Sequence, residues 1–136
     1  MIIMAVDLGK ARTGIAASDK TEYLASPVCV ITEHKRELLL EKVADKAREM
    51  KAELVVVGLP KNMDGSEGDS ARSAREFAQN LSDVLDIEIR LWDERCTTIT
   101  AHGYLNDTNT RGKKRKAIID QVAATVILQS FLDSRR

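Results

Sequence analysis

The sequence predicts an α/β fold built on a five-stranded mixed sheet, three antiparallel strands followed by parallel strand–helix–strand units, with helices on both faces. Two observations predict it. Three short apolar runs joined by tight turns open the chain, and apolar runs then alternate with amphipathic helical stripes. At 136 residues the chain is expected to form a single domain over 1–136, long enough to bury a core without staples.

Residues 2–8, IIMAVDL, are short and wholly apolar up to Asp7, as a buried strand requires. A turn on Gly9 and Gly14, with Lys10 and Arg12 between them, leads into IAAS as a second strand, and Ala25 to Thr32 form a third. Connections this tight imply antiparallel neighbours. From His34 to Met50 the period changes: Leu39, Leu40, Val43, Ala44, Ala47 and Met50 share one helical stripe. ELVVVGLP is the fourth strand, ending at Gly58–Pro60, and the polar loop KNMDGSEGD follows. Asp69 or Ser70 is expected to cap a helix that faces Ala74, Phe77, Ala78, Leu81 and Leu85 inward. IEIRLWDE is the fifth strand and TTITAHGYLN a short helix. TRGKKRK reads as a basic break before a final amphipathic helix, AIIDQVAATVILQSFLD.

Charge and composition narrow the function. Lys plus Arg and Asp plus Glu both number 21, so no global field draws the chain to nucleic acid or membrane, and any polyanion must be held by a local patch. No apolar run approaches the roughly 18 residues of a membrane span. The absence of a signal peptide and the isolated Cys29 and Cys96, expected as reduced thiols, suggest the cytoplasm.

In a sheet with parallel strands the working end lies beyond the strands' carboxyl ends. Asp7 ends the first strand there, Asp93 and Glu94 end the fifth, and Asp120 sits on the small-residue side of the last helix with Ala123, Ala124 and Ile127. Each acid has a plain structural alternative. Asp7 could only shape a turn, Asp93 or Glu94 could cap a helix or pair with Arg95, and Asp120 could favour a helix dipole in a first turn. Their joint placement argues otherwise. Converging carboxylates repel, and a hard divalent cation, Mg²⁺ or Mn²⁺, relieves that cost through oxygen ligands. Strict alternation puts Asp93 with Ile87, Ile89 and Leu91, and Glu94 with Trp92, but a break at the strand end can reverse that parity. Glu94 is the expected ligand, for its longer reach, with Asp93 as substitute.

Asp7 with Gly9 and Gly14, VVGLPKNMDGSEG at 56–68, DERCTT at 93–98 and IDQVAATVILQSFLD at 119–133 occur in the order found in the YqgF/RuvX family, which the whole chain resembles. Members are RNase H-like proteins described as Holliday-junction resolvases and as nucleases of precursor 16S rRNA. The turn departs from the family's usual GTKRIG at Lys10, Ala11 and Thr13, and Cys96 stands where Leu is common. The resemblance implies an RNase H-like sheet and a metal-dependent phosphodiesterase with Asp7, the acid of the DER motif and Asp120 as its catalytic and metal-binding triad.

Around that triad, Arg95 could neutralise charge on the reacting phosphate and Thr98 could orient it, although Thr97 and Thr98 could equally cap a helix. Lys61 and Asn62 lie on the same rim, as phosphate contacts or as solvent-facing loop residues. Arg111, Lys113, Lys114, Arg115 and Lys116 put five cations in six residues beside Asp120 and are expected to grip phosphates from a mobile loop. Aromatic residues make up only 4% of the chain, which argues against base stacking as the main mode of binding. The expected partner is therefore structured nucleic acid: precursor rRNA first, alone or in ribosomal particles, and branched DNA second. A monomer or weak homodimer is expected. A nucleotide-binding module and a non-catalytic ribosome-assembly or transcription factor are the alternatives of another class.

Overall fold

The computed structural model describes residues 1–94 and 112–135, and for 112–121 the backbone alone. Its elements are β1 (Ile3–Asp7), β2 (Arg12–Ser18), β3 (Ala25–Thr32), α1 (Arg36–Glu49), β4 (Leu54–Leu59), α2 (Asp69–Val84), β5 (Glu88–Asp93) and α3 (Gly112–Ser134). The strands form one sheet in the order β3-β2-β1-β4-β5. β1 pairs antiparallel with β2, and β2 with β3, while β1–β4 and β4–β5 are parallel. This is the expected mixed sheet.

Side-chain alternation divides the core between two faces. Met4 and Val6 of β1, with Val55 and Val57 of β4, pack under Leu39 and Val43 of α1 and Phe77 and Leu81 of α2. Ile3 and Ala5, with Leu54 and Val56, face Ala124, Ile127, Leu128, Phe131 and Leu132 of α3. Every residue of β4 is buried. A fully buried Val, Leu or Ile is worth about 1.5–3 kcal/mol of transfer free energy, so this strand is the spine of both cores. Ala5, Ala16 and Ala25 present small side chains to α3, which lets that helix lie close to the sheet.

Strand directions bring one end of the molecule into use. β1, β4 and β5 end there, and α1, α2 and α3 begin there. The opposite end is tied down separately: Arg135, just past α3, donates to Glu22 in the β2–β3 turn at 3.1 Å.

Several boundaries differ from the sequence expectation. Gly68, not Asp69 or Ser70, is the N-cap of α2, and Asp69 lies in the first turn, where its charge suits the helix dipole. The last helix starts at Gly112, so Lys113, Lys114, Arg115 and Lys116 form its first turns instead of a loop. Lys and Arg are good helix formers, and periodicity reveals only the stretch that packs. Asp120 consequently lies more than two turns inside the helix, which removes the reading of it as a first-turn acid. The short helix expected at 97–106, and Arg95, Cys96, Thr97, Thr98 and Arg111, lie outside the described residues. Cys29 is a free, half-buried thiol. No helix among the described residues is long and apolar enough to cross a membrane.

Candidate active site

Asp7 is the last residue of β1 and shares the face of Ile3 and Ala5, toward α3. Its cross-strand partner on β2 is Gly14. Val6 pairs with Val57 on the other side, so the next level sets Asp7 beside Gly58. A glycine thus flanks this acid on each neighbouring strand, and the sheet has no side chain to crowd it. The turn that follows Asp7 is equally tight. A Cβ on Gly9 would sit 2.1 Å from the backbone oxygen of Arg12, so only glycine fits there.

Glu94 follows β5, whose last residue, Asp93, pairs with Leu59. Strand parity holds through Glu94. Trp92 packs on the α3 side, with its ring edge-on to Phe131 at 5.4 Å and 88° and its Nε1 donating to Ser130 Oγ at 3.3 Å. Ile89 and Leu91 pack against the opposite core. The Glu94 side chain reaches back across Gly58: a Cβ on that glycine would lie 2.9 Å from Glu94 Oε1 and 2.9 Å from Ile127 Cδ1. Gly58 is therefore the floor of the site, a role the sequence reading did not assign. Its signal was a lone glycine inside the apolar run LVVVGL, where a strand gains nothing from glycine unless something must come close.

The two acids meet. Burial, a hydrogen bond to Asp7 and the charges of Asp7 and Asp93 push the Glu94 carboxyl up to about 9, far above its ordinary value of 4.5. Each of these influences opposes ionisation of Glu94. At neutral pH the protonated Glu94 donates to the Asp7 carboxylate, and one proton holds together two groups that would otherwise repel. Such a pair is an all-oxygen donor set of the kind that suits a hard divalent cation.

Asp120 sits on α3 one turn before Ala124 and two before Ile127, the stripe that packs on this face, displaced from Ile127 toward the rim. Its side chain, and those of Lys113, Lys114, Arg115 and Lys116, lie outside the description. Lys61, half-buried, follows β4 on the rim. Asn62 builds its loop: its Nδ2 donates to Ser66 Oγ at 2.9 Å.

The RuvX family model, described as Holliday junction resolvase, matches residues 1–134. The chain belongs to this family. A relative from Clostridium botulinum (strain Eklund 17B / Type B), named "Putative pre-16S rRNA nuclease", is 39% identical over 133 residues, 98% of this chain and 97% of that protein. One of the same name from Roseiflexus sp. (strain RS-1) is 40% identical over 134 residues, 98% and 95% of the two chains. Among solved structures, T. thermophilus RuvC in complex with a Holliday junction substrate superposes with a TM-score of 0.64 at 11% identity, covering 99% of this chain and 95% of that one. That likeness speaks for the RNase H-like fold expected from the family resemblance.

Proposed function

We propose that this chain is a metal-dependent nuclease that hydrolyses phosphodiester bonds at the 5′ end of precursor 16S rRNA in the cytoplasm. The observation that carries the reading is the meeting of the Asp7 and Glu94 carboxyl groups over Gly58, where two parallel strands end. The names of the full-length relatives supply the substrate.

Asp7, Glu94 and Asp120 would hold Mg²⁺ or Mn²⁺, with Asp93 an outer neighbour that adds negative charge. Bound there, the cation supplies the positive charge that activates water and steadies the leaving oxygen. The residues' own work is binding and placement. Glu94 gives up its proton, Gly58 leaves room for the Glu94 side chain to reach Asp7, and Trp92 fixes the strand end against α3. Lys113, Lys114, Arg115 and Lys116, on the opening turns of the helix that carries Asp120, would supply cations for phosphate, with Arg111 preceding them in sequence. Lys61 adds a phosphate contact across the rim, and Arg95 and Thr98 follow Glu94 closely enough in sequence to join it. A helix holds such cations at fixed spacing, so phosphate gripping needs no loop to tighten.

The family description favours a second substrate, the DNA four-way junction. Incubating the pure protein with precursor 16S rRNA and with a four-way DNA junction, each with Mg²⁺, with Mn²⁺ and with chelator, separates the two. The rRNA reading expects metal-dependent 5′ trimming by a monomer. Symmetric paired nicking of the junction by a dimer would replace it. Binding of either substrate without metal-dependent turnover would favour a non-catalytic assembly factor.

A further inference from the structure

The loop between β4 and α2 leaves the same rim as Asp7 and Glu94 and is tightly built. The Asn62 N–H donates to the Ser66 carbonyl at 2.9 Å, and the Gly65 N–H donates to the Asn62 carbonyl at 2.9 Å. Asp64 Oδ1 accepts from both the backbone N–H and the hydroxyl of Ser66, at 2.9 and 2.6 Å. Gly65 has φ 89°, a conformation that glycine supplies without strain. Glu67 anchors the far end on α2, taking a two-pronged hydrogen bond from Arg75 at 2.6 and 2.7 Å.

At the crest of this rigid loop stands Met63, 82% exposed. A lone exposed apolar side chain needs no explanation on an ordinary surface. This one differs in its setting. Tyr23 and Leu24 are exposed at the far end of the sheet, and Trp92, Phe77 and Phe131 are packed inward. Among the described residues, Met63 is the one large, exposed apolar side chain on the loops of the acidic rim. Lys61 stands two residues before it, a cation for backbone phosphate beside an apolar tip for bases.

We propose that Met63 is a wedge that inserts at the last base step of an RNA helix and holds the strand's scissile phosphate over Asp7 and Glu94. Methionine is among the side chains that unstack base steps, and its flexible, polarizable thioether fits irregular gaps. The fixed loop supplies direction, so the unbranched side chain is all that has to adjust. A helix end lets the wedge enter where stacking is already interrupted. Aromatic stacking is not needed, which agrees with so few aromatic residues. The proposal rests on the nuclease reading for its substrate and defines where on that substrate cutting occurs.

The test uses an RNA hairpin with a 5′ single-stranded extension and 2-aminopurine at the last paired position, with Ca²⁺ in place of Mg²⁺. Wild-type protein should raise the fluorescence several-fold as the base unstacks. Met63→Ala should abolish the rise and weaken binding roughly tenfold, about 1.4 kcal/mol, while Met63→Leu should keep both. An equal rise and equal affinity for Met63→Ala overturn the wedge. Cleavage in Mg²⁺ without a Met63-dependent rise also overturns it and leaves the nuclease reading standing. A Met63-dependent rise without cleavage overturns the nuclease reading alone, and wild-type protein that does not bind the hairpin overturns both.

Discussion

The carboxyl of Glu94 donates a hydrogen bond to the carboxylate of Asp7 across the glycine floor of the sheet, joining the ends of β5 and β1. This pair makes the metal-free protein pH-sensitive in a direction that can be worked out. Glu94 titrates at about 9 folded and near 4.5 unfolded, so the folded state holds the extra proton between those values. Its stabilising share is complete below pH 4.5 and is lost as the pH rises through 9. In chelator, the melting temperature of the wild type should fall relative to Glu94→Gln across that window, and Mg²⁺ should reverse the fall at its alkaline end. Parallel melting curves for the two proteins would show that the pair does not share a proton.

Gly58→Ala tests the floor directly. The new methyl would press on Glu94 Oε1 and Ile127 Cδ1, both at the movable ends of side chains, so the fold should survive with a loss of about 1–3 kcal/mol from overpacking. Displacing Glu94 should nevertheless lower kcat by at least about tenfold, equivalent to ~1.4 kcal/mol of barrier. Chemical denaturation and single-turnover rates on the same preparation separate the two effects. Full activity would mean that Glu94 does not work from its position over Gly58.

Asp93 should prove secondary. Asp93→Asn removes one of the charges that oppose Glu94 ionisation, and turnover should persist. If Asp93 also caps the segment that follows, the variant should lose about 1 kcal/mol in thermal unfolding. Abolished cleavage at unchanged stability would transfer the ligand role to Asp93.

The basic turns of α3 should act on binding alone. Replacing Lys113, Lys114 and Lys116 with Ala keeps good helix formers in the helix, so structure should be retained. Affinity should weaken alike for all substrate sequences, and the slope of log affinity against log salt should shrink by roughly 0.7–0.9 per lost contact. The chemical step at saturating substrate should hardly change. An unchanged salt slope would make these cations solvent-facing and move phosphate binding to Lys61 and Arg95.

Most of the fold was legible because buried strands and packed helix stripes leave apolar patterns. β3 has the expected bounds, Ala25–Thr32, and the parallel set β1, β4 and β5 followed from their helical crossovers. The pairing of Asp7 with an acid after β5 was legible from strand direction. Which acid was not, because parity at a strand end depends on whether the chain breaks there, and only Trp92 packed against Phe131 decides it. Gly58 was invisible as a floor because its importance comes from Glu94, 36 residues away in sequence. The start of α3 was hidden because its first turns carry cations in place of an apolar stripe.

The most direct test of the central claim is single-turnover cleavage of precursor 16S rRNA in Mg²⁺ or Mn²⁺ by wild type, Asp7→Asn and Glu94→Gln, with melting temperatures measured alongside. Both variants should fold as well as the metal-free wild type or better, since each removes the cost of keeping Glu94 protonated beside Asp7. Both should cleave at least about a hundredfold more slowly, a barrier increase of ~2.7 kcal/mol, and chelator should stop the wild type. Wild-type rates from either variant, or cleavage that persists in chelator, would contradict a metal-dependent nuclease built on Asp7 and Glu94.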